Sequence, residues 1–124
     1  MSRTRSTHDA EVGAVTAEAA VVVPVLMLLT LGLSWLVTLG VAHARVVDAA
    51  REAARVVARG EAPSSGSALA RRVGPEGTRV AVSDDGSAVV VTAVAPVRGP
   101  GGLFAFLPAF DVHAQAVAAR EAGS

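Results

Sequence analysis

The sequence predicts an α+β protein anchored in a membrane. One long N-terminal transmembrane helix continues into an extracytoplasmic helix, and a short helix and a small three-stranded antiparallel sheet come after it. Three observations predict this. Residues 19–42 form a run of 24 without one Asp, Glu, Lys, Arg or His. Small apolar residues then recur at helical spacing as far as Arg59, and the last third alternates Val and Ala with polar residues at the period of a strand. The length of 124 residues excludes a multidomain enzyme. Eleven arginines balance eleven acidic residues, so no overall field draws nucleic acid or an anionic surface. The absence of Cys removes disulfide frameworks, thiolate metal sites and cysteine nucleophiles together.

As a helix, the apolar run is about 36 Å long, against about 30 Å of bilayer hydrocarbon. A soluble core helix of that length needs apolar cover on every side, which residues 60–124 cannot supply while also making their own core. Pro24, Gly32 and Gly40 lie inside the run, where a spanning helix tolerates them better than a soluble one. Pro24 has no N–H for the carbonyl of Ala20. It marks either a bend or a soft first turn, or a helix-start proline near the interface. Arg3 and Arg5 in the leader favour a cytoplasmic N-terminus. Arg45, Arg51, Arg55 and Arg59 oppose that orientation, but they belong to a long exported segment. The triplet Ala42, His43, Ala44 has the small-x-small form of a signal-peptidase site, although an apolar core of 24 residues exceeds the usual 7 to about 15.

Glu18 stands one residue before the run and five after Gly13. In a helix beginning near Ala14 it is a first-turn carboxylate, favoured by the dipole by about 0.3–1 kcal/mol. Placed in the hydrocarbon edge it needs a positive partner, and an α-amino group created at Ala14 is the candidate. A basic leader, Gly13, four residues, Glu18 and an apolar helix with the early Pro24 resemble the processing site of type IV prepilins and pseudopilins. Thr16, Ala17, Glu18, Ala19 and Ala20 leading to Pro24, the helix text from Asp48 to Arg55, and a Val-rich tail ending in Ala114, Gln115, Ala116, Val117 and Ala118 narrow the resemblance. They are similar to the TadE-like minor pseudopilins of tight-adherence (Flp) pilus systems. Ala19 stands where many relatives carry an aromatic residue.

The resemblance implies cleavage by a prepilin peptidase between Gly13 and Ala14 on the cytoplasmic side. It also implies that Glu18 pairs with the new N-terminal amine during assembly. The implied partners are the lipid bilayer, the prepilin peptidase, other pilins or pseudopilins, and the pilus assembly platform proteins. The expected organisation is a leader over 1–13, a transmembrane helix with its extension over 14–59, and an extracytoplasmic α+β domain over 60–124, possible as a membrane-held or a filament-incorporated subunit.

Beyond the membrane, Ala49, Ala50, Ala53, Ala54 and Val57 make an apolar stripe opposite Asp48, Arg51, Glu52, Arg55 and Arg59. Asp48 with Arg51, and Glu52 with Arg55, are spaced as i, i+3 pairs. The stripe is expected to be a ridge covering the chain's own sheet, and Gly60 the stop just past the helix. Residues 61–66 read as a linker with Ser64 and Ser65 as candidate caps, ahead of a brief helix over 67–73 closed by Gly74 to Gly77. Strands are expected over 78–83, 88–95 and 110–118. Asp84, Asp85 and Gly86 supply the turn chemistry between the first two, making them a hairpin. Leu103, Phe104, Ala105, Phe106 and Leu107 form an apolar loop that suits a partner subunit or the bilayer interface, or folds back to finish a thin core.

No catalytic constellation is found. The glycine cluster lacks phosphate-loop spacing, and His8, His43 and His113 lack ligand spacing. Asp84 and Asp85 are explained as turn residues. The expectation is a structural chain with no cofactor, no metal, no nucleic acid and no small-molecule substrate. Two other readings stay open: an uncleaved single-pass anchor presenting a small binding module to the cell envelope, and a secreted protein cut after Ala44.

Overall fold

The computed structural model describes residues 3–99, 102 and 108–121, with side chains from residue 7 onward. Helix α1 (Arg3–Ala58), helix α2 (Pro63–Val73) and strands β1 (Arg79–Asp84), β2 (Ala88–Val97) and β3 (Phe110–Ala119) succeed one another along the chain. The expected α+β architecture is therefore present, element for element. The chain divides into two compact units, residues 1–35 and 36–124, and the division falls inside α1.

In the first unit α1 starts at Arg3, well before Ala14. Residues 3–13 are helical because adding residues to an existing helix is cheap once the Ala-rich turns downstream have nucleated it. Val21, Val22, Val23, Val25, Leu26, Met27, Leu28 and Leu29 are all exposed. Their neighbour Pro24 lies in the helix interior, which corrects the reading of it as a helix-start proline. Two hydroxyls along this helix are satisfied internally: Thr30 Oγ1 donates to Leu26 O at 2.8 Å and Ser34 Oγ to Thr30 O at 2.8 Å.

In the second unit the three strands form an antiparallel meander in the order β1-β2-β3. Alternation along β2 buries Val89, Val91, Ala93 and Ala95, which cluster with Val46, Ala49, Ala50, Ala53, Ala54 and Val57 of α1 and with Ala70 of α2. The helical stripe is thus the ridge that covers the sheet. Every member of this core is Ala or Val, so helix and strands meet through short side chains, and each buried Val contributes about 1.5–3 kcal/mol. Val112, Ala114, Ala116 and Ala118 of β3 flank the cluster, while Phe110, on the same alternation, is exposed.

Local chemistry ends each element. After α1, Gly60 takes φ +96°. Its N–H donates to Val57 O at 3.0 Å, and that of Glu61 to Val56 O at 3.4 Å, the paired bonds of a Schellman stop. The expected linker over 61–66 is mostly helix instead. Pro63 opens α2, where its missing N–H is no loss, and neither Ser64 nor Ser65 caps it. Gly66 is buried inside α2 because a Cβ there would lie 2.6 Å from Val57 Cγ2 and 3.1 Å from Ala53 O. Its glycine brings two helices together and does not break one.

Strand β1 begins at Arg79, one residue later than expected, because Thr78 is buried in the preceding turn and its hydroxyl donates to Pro75 O. Strand β2 runs on to Val97 through Pro96. Pairing with β1 stops at Val94, so Pro96 sits where β2 has lost that neighbour. The β1–β2 connection has three residues, Asp85, Gly86 and Ser87, because β1 runs one residue further than expected and takes in Asp84. The apolar loop at residues 103–107 lies outside the described residues.

Candidate functional site

Gly13, Ala14 and Glu18 occupy consecutive turns of α1, on its first unit. Gly13 touches nothing outside its own helix: a Cβ built on it would meet no atom within 4 Å. Val12 and Val15 on either side are 55% and 65% exposed, so no tertiary contact shields the Gly13–Ala14 bond. Thr16 Oγ1 donates to Val12 O at 2.9 Å, which places a side-chain hydrogen bond across that peptide.

Glu18 is exposed and lies four residues from Ala14, hence on the same helix face. Because α1 begins at Arg3, Glu18 is not in a first turn of the full-length chain, and the dipole account of it fails there. Among the described residues Glu18 takes part in no ion pair; those present are Glu52 with Arg55, Arg79 with Asp111 and Asp84 with Arg120. Asp48 and Arg51, spaced for a pair, do not form one.

Downstream of Glu18, α1 holds the one helix among the described residues that is long and apolar enough to cross a membrane, and the apolar window is entirely unburied. Exposed Val and Leu on every side distinguish it from a soluble core helix. Pro24 leaves the Ala20 carbonyl without its ladder donor inside this span.

At the hairpin, Asp85 Oδ1 accepts from Ser87 N at 2.8 Å, Ser87 Oγ at 2.7 Å and Ala88 N at 2.9 Å. Those donors, the Ala88 amide foremost, lower its pKa from 3.8 to about 2. Asp84 accepts from Gly86 N at 2.9 Å and pairs with Arg120. Both carboxylates are consumed by the turn, and no group of three or more potential metal ligands occurs among the described residues.

Part of helix α1 is similar to known proteins. Residues 13–55 match the model of the TadE-like protein family, a segment that opens on Gly13, holds Glu18 and Pro24, and ends within the last turn of α1. The chain is 40% identical over 80 residues to the apoptosis inhibitor Rv3655c of Mycobacterium tuberculosis. That similarity covers 64% of this chain and spans 58% of the relative's length. No solved structure matches. Over residues 13–55 the chain is similar to the TadE-like protein family.

Proposed function

We propose that the chain is a minor pseudopilin-like structural component of a tight-adherence type IV pilus or a related secretion system. A prepilin peptidase removes the leader, residues 1–13, by cutting between Gly13 and Ala14 on the cytoplasmic side. The mature protein then spans the membrane once, with residues 60–124 outside the cytoplasm, and Glu18 pairs with the amine released at Ala14. Its partners are the bilayer, the peptidase, other pilins or pseudopilins and the assembly platform. The role is architectural, without catalysis.

One observation carries this reading. The TadE-like segment begins at Gly13, the residue whose peptide bond stands bare on an exposed helix, with Glu18 one turn on and an unburied apolar span directly behind it. Mass spectrometry of the protein recovered from its native envelope tests it. The expected N-terminus is Ala14. An intact Met1 speaks for an uncleaved anchor, and a soluble product beginning at Arg45 for secretion; either result removes the pseudopilin reading. A cut after Ala44 would sever α1 just ahead of Val46, a fully buried member of the core.

A further inference from the structure

We infer that the helix itself gates cleavage at Gly13: the Gly13–Ala14 bond is cut only from the fraction of molecules in which the turn around it is open. The inference rests on the processing proposed above and concerns its regulation. In an α-helix the Gly13 carbonyl accepts from the N–H of Ala17, and the Ala14 N–H donates to Ala10. A peptidase has to reach that carbonyl carbon and protonate that nitrogen, and both are engaged while the turn is closed. Helix α1 runs without interruption from Arg3 through this bond.

The same turn is built to open. Gly in a helix interior shifts the local equilibrium towards the open form by about fivefold relative to Ala. Val12, Val15 and Thr16 are β-branched and lose rotamer freedom against the preceding turn. The Thr16 hydroxyl, 2.9 Å from Val12 O, competes with the Thr16 N–H for that carbonyl. With Gly13 free of any neighbour and Val12 and Val15 exposed, opening forfeits no tertiary packing. The weak turn lies between Ala10 and Ala17, good helix formers, so it is a local defect and not a general fraying of α1. When opening and closing are fast relative to cutting, cleavage tracks the population of the open form.

The test uses the full-length chain in phospholipid nanodiscs with purified prepilin peptidase, with appearance of the Ala14 terminus monitored by mass spectrometry and amide exchange measured over residues 10–17. Val12→Ala and Thr16→Ala close the turn, and each is expected to slow cleavage about two- to threefold. Ala10→Gly and Ala17→Gly open it, and each is expected to accelerate cleavage about fivefold. None of the four replaces Gly13, Ala14 or Glu18, and they lie on both sides of the bond. The inference predicts that kcat/KM tracks the exchange rate across all five proteins. Cleavage after Gly13 at rates indifferent to exchange would overturn the gate and leave the processing reading standing. Rapid exchange of the unaltered turn, as in a coil, would also overturn it. Failure of the unaltered chain to be cut after Gly13 would remove the processing reading, and the gate with it.

Discussion

Gly66 of α2 and Val57 of α1 approach so closely that a Cβ on the glycine would lie 2.6 Å from Val57 Cγ2. A second obstacle, Ala53 O at 3.1 Å, belongs to the helix backbone and cannot turn aside. Gly66→Ala is therefore expected to destabilise the second unit by about 1–3 kcal/mol despite the better helix propensity of Ala. Val57→Ala removes the movable obstacle at a loss of its own of about 1.5–3 kcal/mol, so Gly66→Ala is expected to cost less in the Val57→Ala background than in the unaltered chain. Denaturant unfolding of the detergent-solubilised protein, monitored by the strand signal in circular dichroism, measures both. A neutral or stabilising Gly66→Ala would show that α2 does not pack on α1 at this point.

Val91 and Val90 are neighbours on β2 that face opposite sides, Val91 buried against α1 and Val90 half-buried on the outer face. Val91→Ala is expected to cost about 2 kcal/mol, and Val90→Ala less than half of that. The same unfolding experiment checks the ratio. A larger loss at Val90 would place the helix on the wrong face of the sheet.

These residues also mark how far the sequence could be read. The period-two alternation of β2 and β3 and the stripe from Ala49 to Val57 are properties of the chain itself, and the structure joins them as expected. The start of α2 was not legible. Pro63, Ser64, Ser65 and Gly66 have linker composition, and the need for a glycine at 66 arises only once Val57 and Ala53 stand beside it. Val46 joined the core unseen, though it lies three residues before Ala49 and a longer stripe would have included it. The helix over residues 3–13 was hidden for another reason: Ser and Thr give that segment little propensity of its own, and it is helical only as an extension of the Ala-rich turns after Gly13. At the candidate site the spacing of Gly13 and Glu18 was visible, whereas the hydroxyl bridge from Thr16 to Val12 depends on helix geometry.

Asp85 makes hairpin stability depend on acid. Its pKa of about 2 in the folded chain lies below the 3.8 of the free carboxyl, so the unfolded chain binds more protons between those values. The contribution is present above pH 4 and is lost as pH falls through about 2. Asp85→Asn keeps an acceptor oxygen but loses the charge, and it is expected to be less stable at pH 5 and to show a flatter decline from pH 4 to pH 2. Urea midpoints across that range provide the measurement. Parallel curves for the two proteins would mean that the Ser87 and Ala88 amides do not hold the charged form.

Glu18 gives the proposed assembly role its sharpest consequence. Once residues 1–13 are removed, Ala14 carries an amine whose ordinary pKa is about 8, so it is charged at neutral pH. A carboxylate on the same helix face, at the edge of the hydrocarbon, costs a few kcal/mol unless such a cation meets it. Glu18→Ala is expected to abolish incorporation into filaments while the protein still enters the membrane and is still cut after Gly13. Glu18→Gln retains the shape and the hydrogen-bonding oxygen, so an ionic partnership predicts failure close to that of Ala. Comparing shear-released filaments with the membrane pool, alongside the mass of the mature N-terminus, separates the three steps. Filaments at unaltered yield from Glu18→Ala would leave the carboxylate without an assembly role, and unaltered yield from Glu18→Gln alone would make the contact a neutral hydrogen bond.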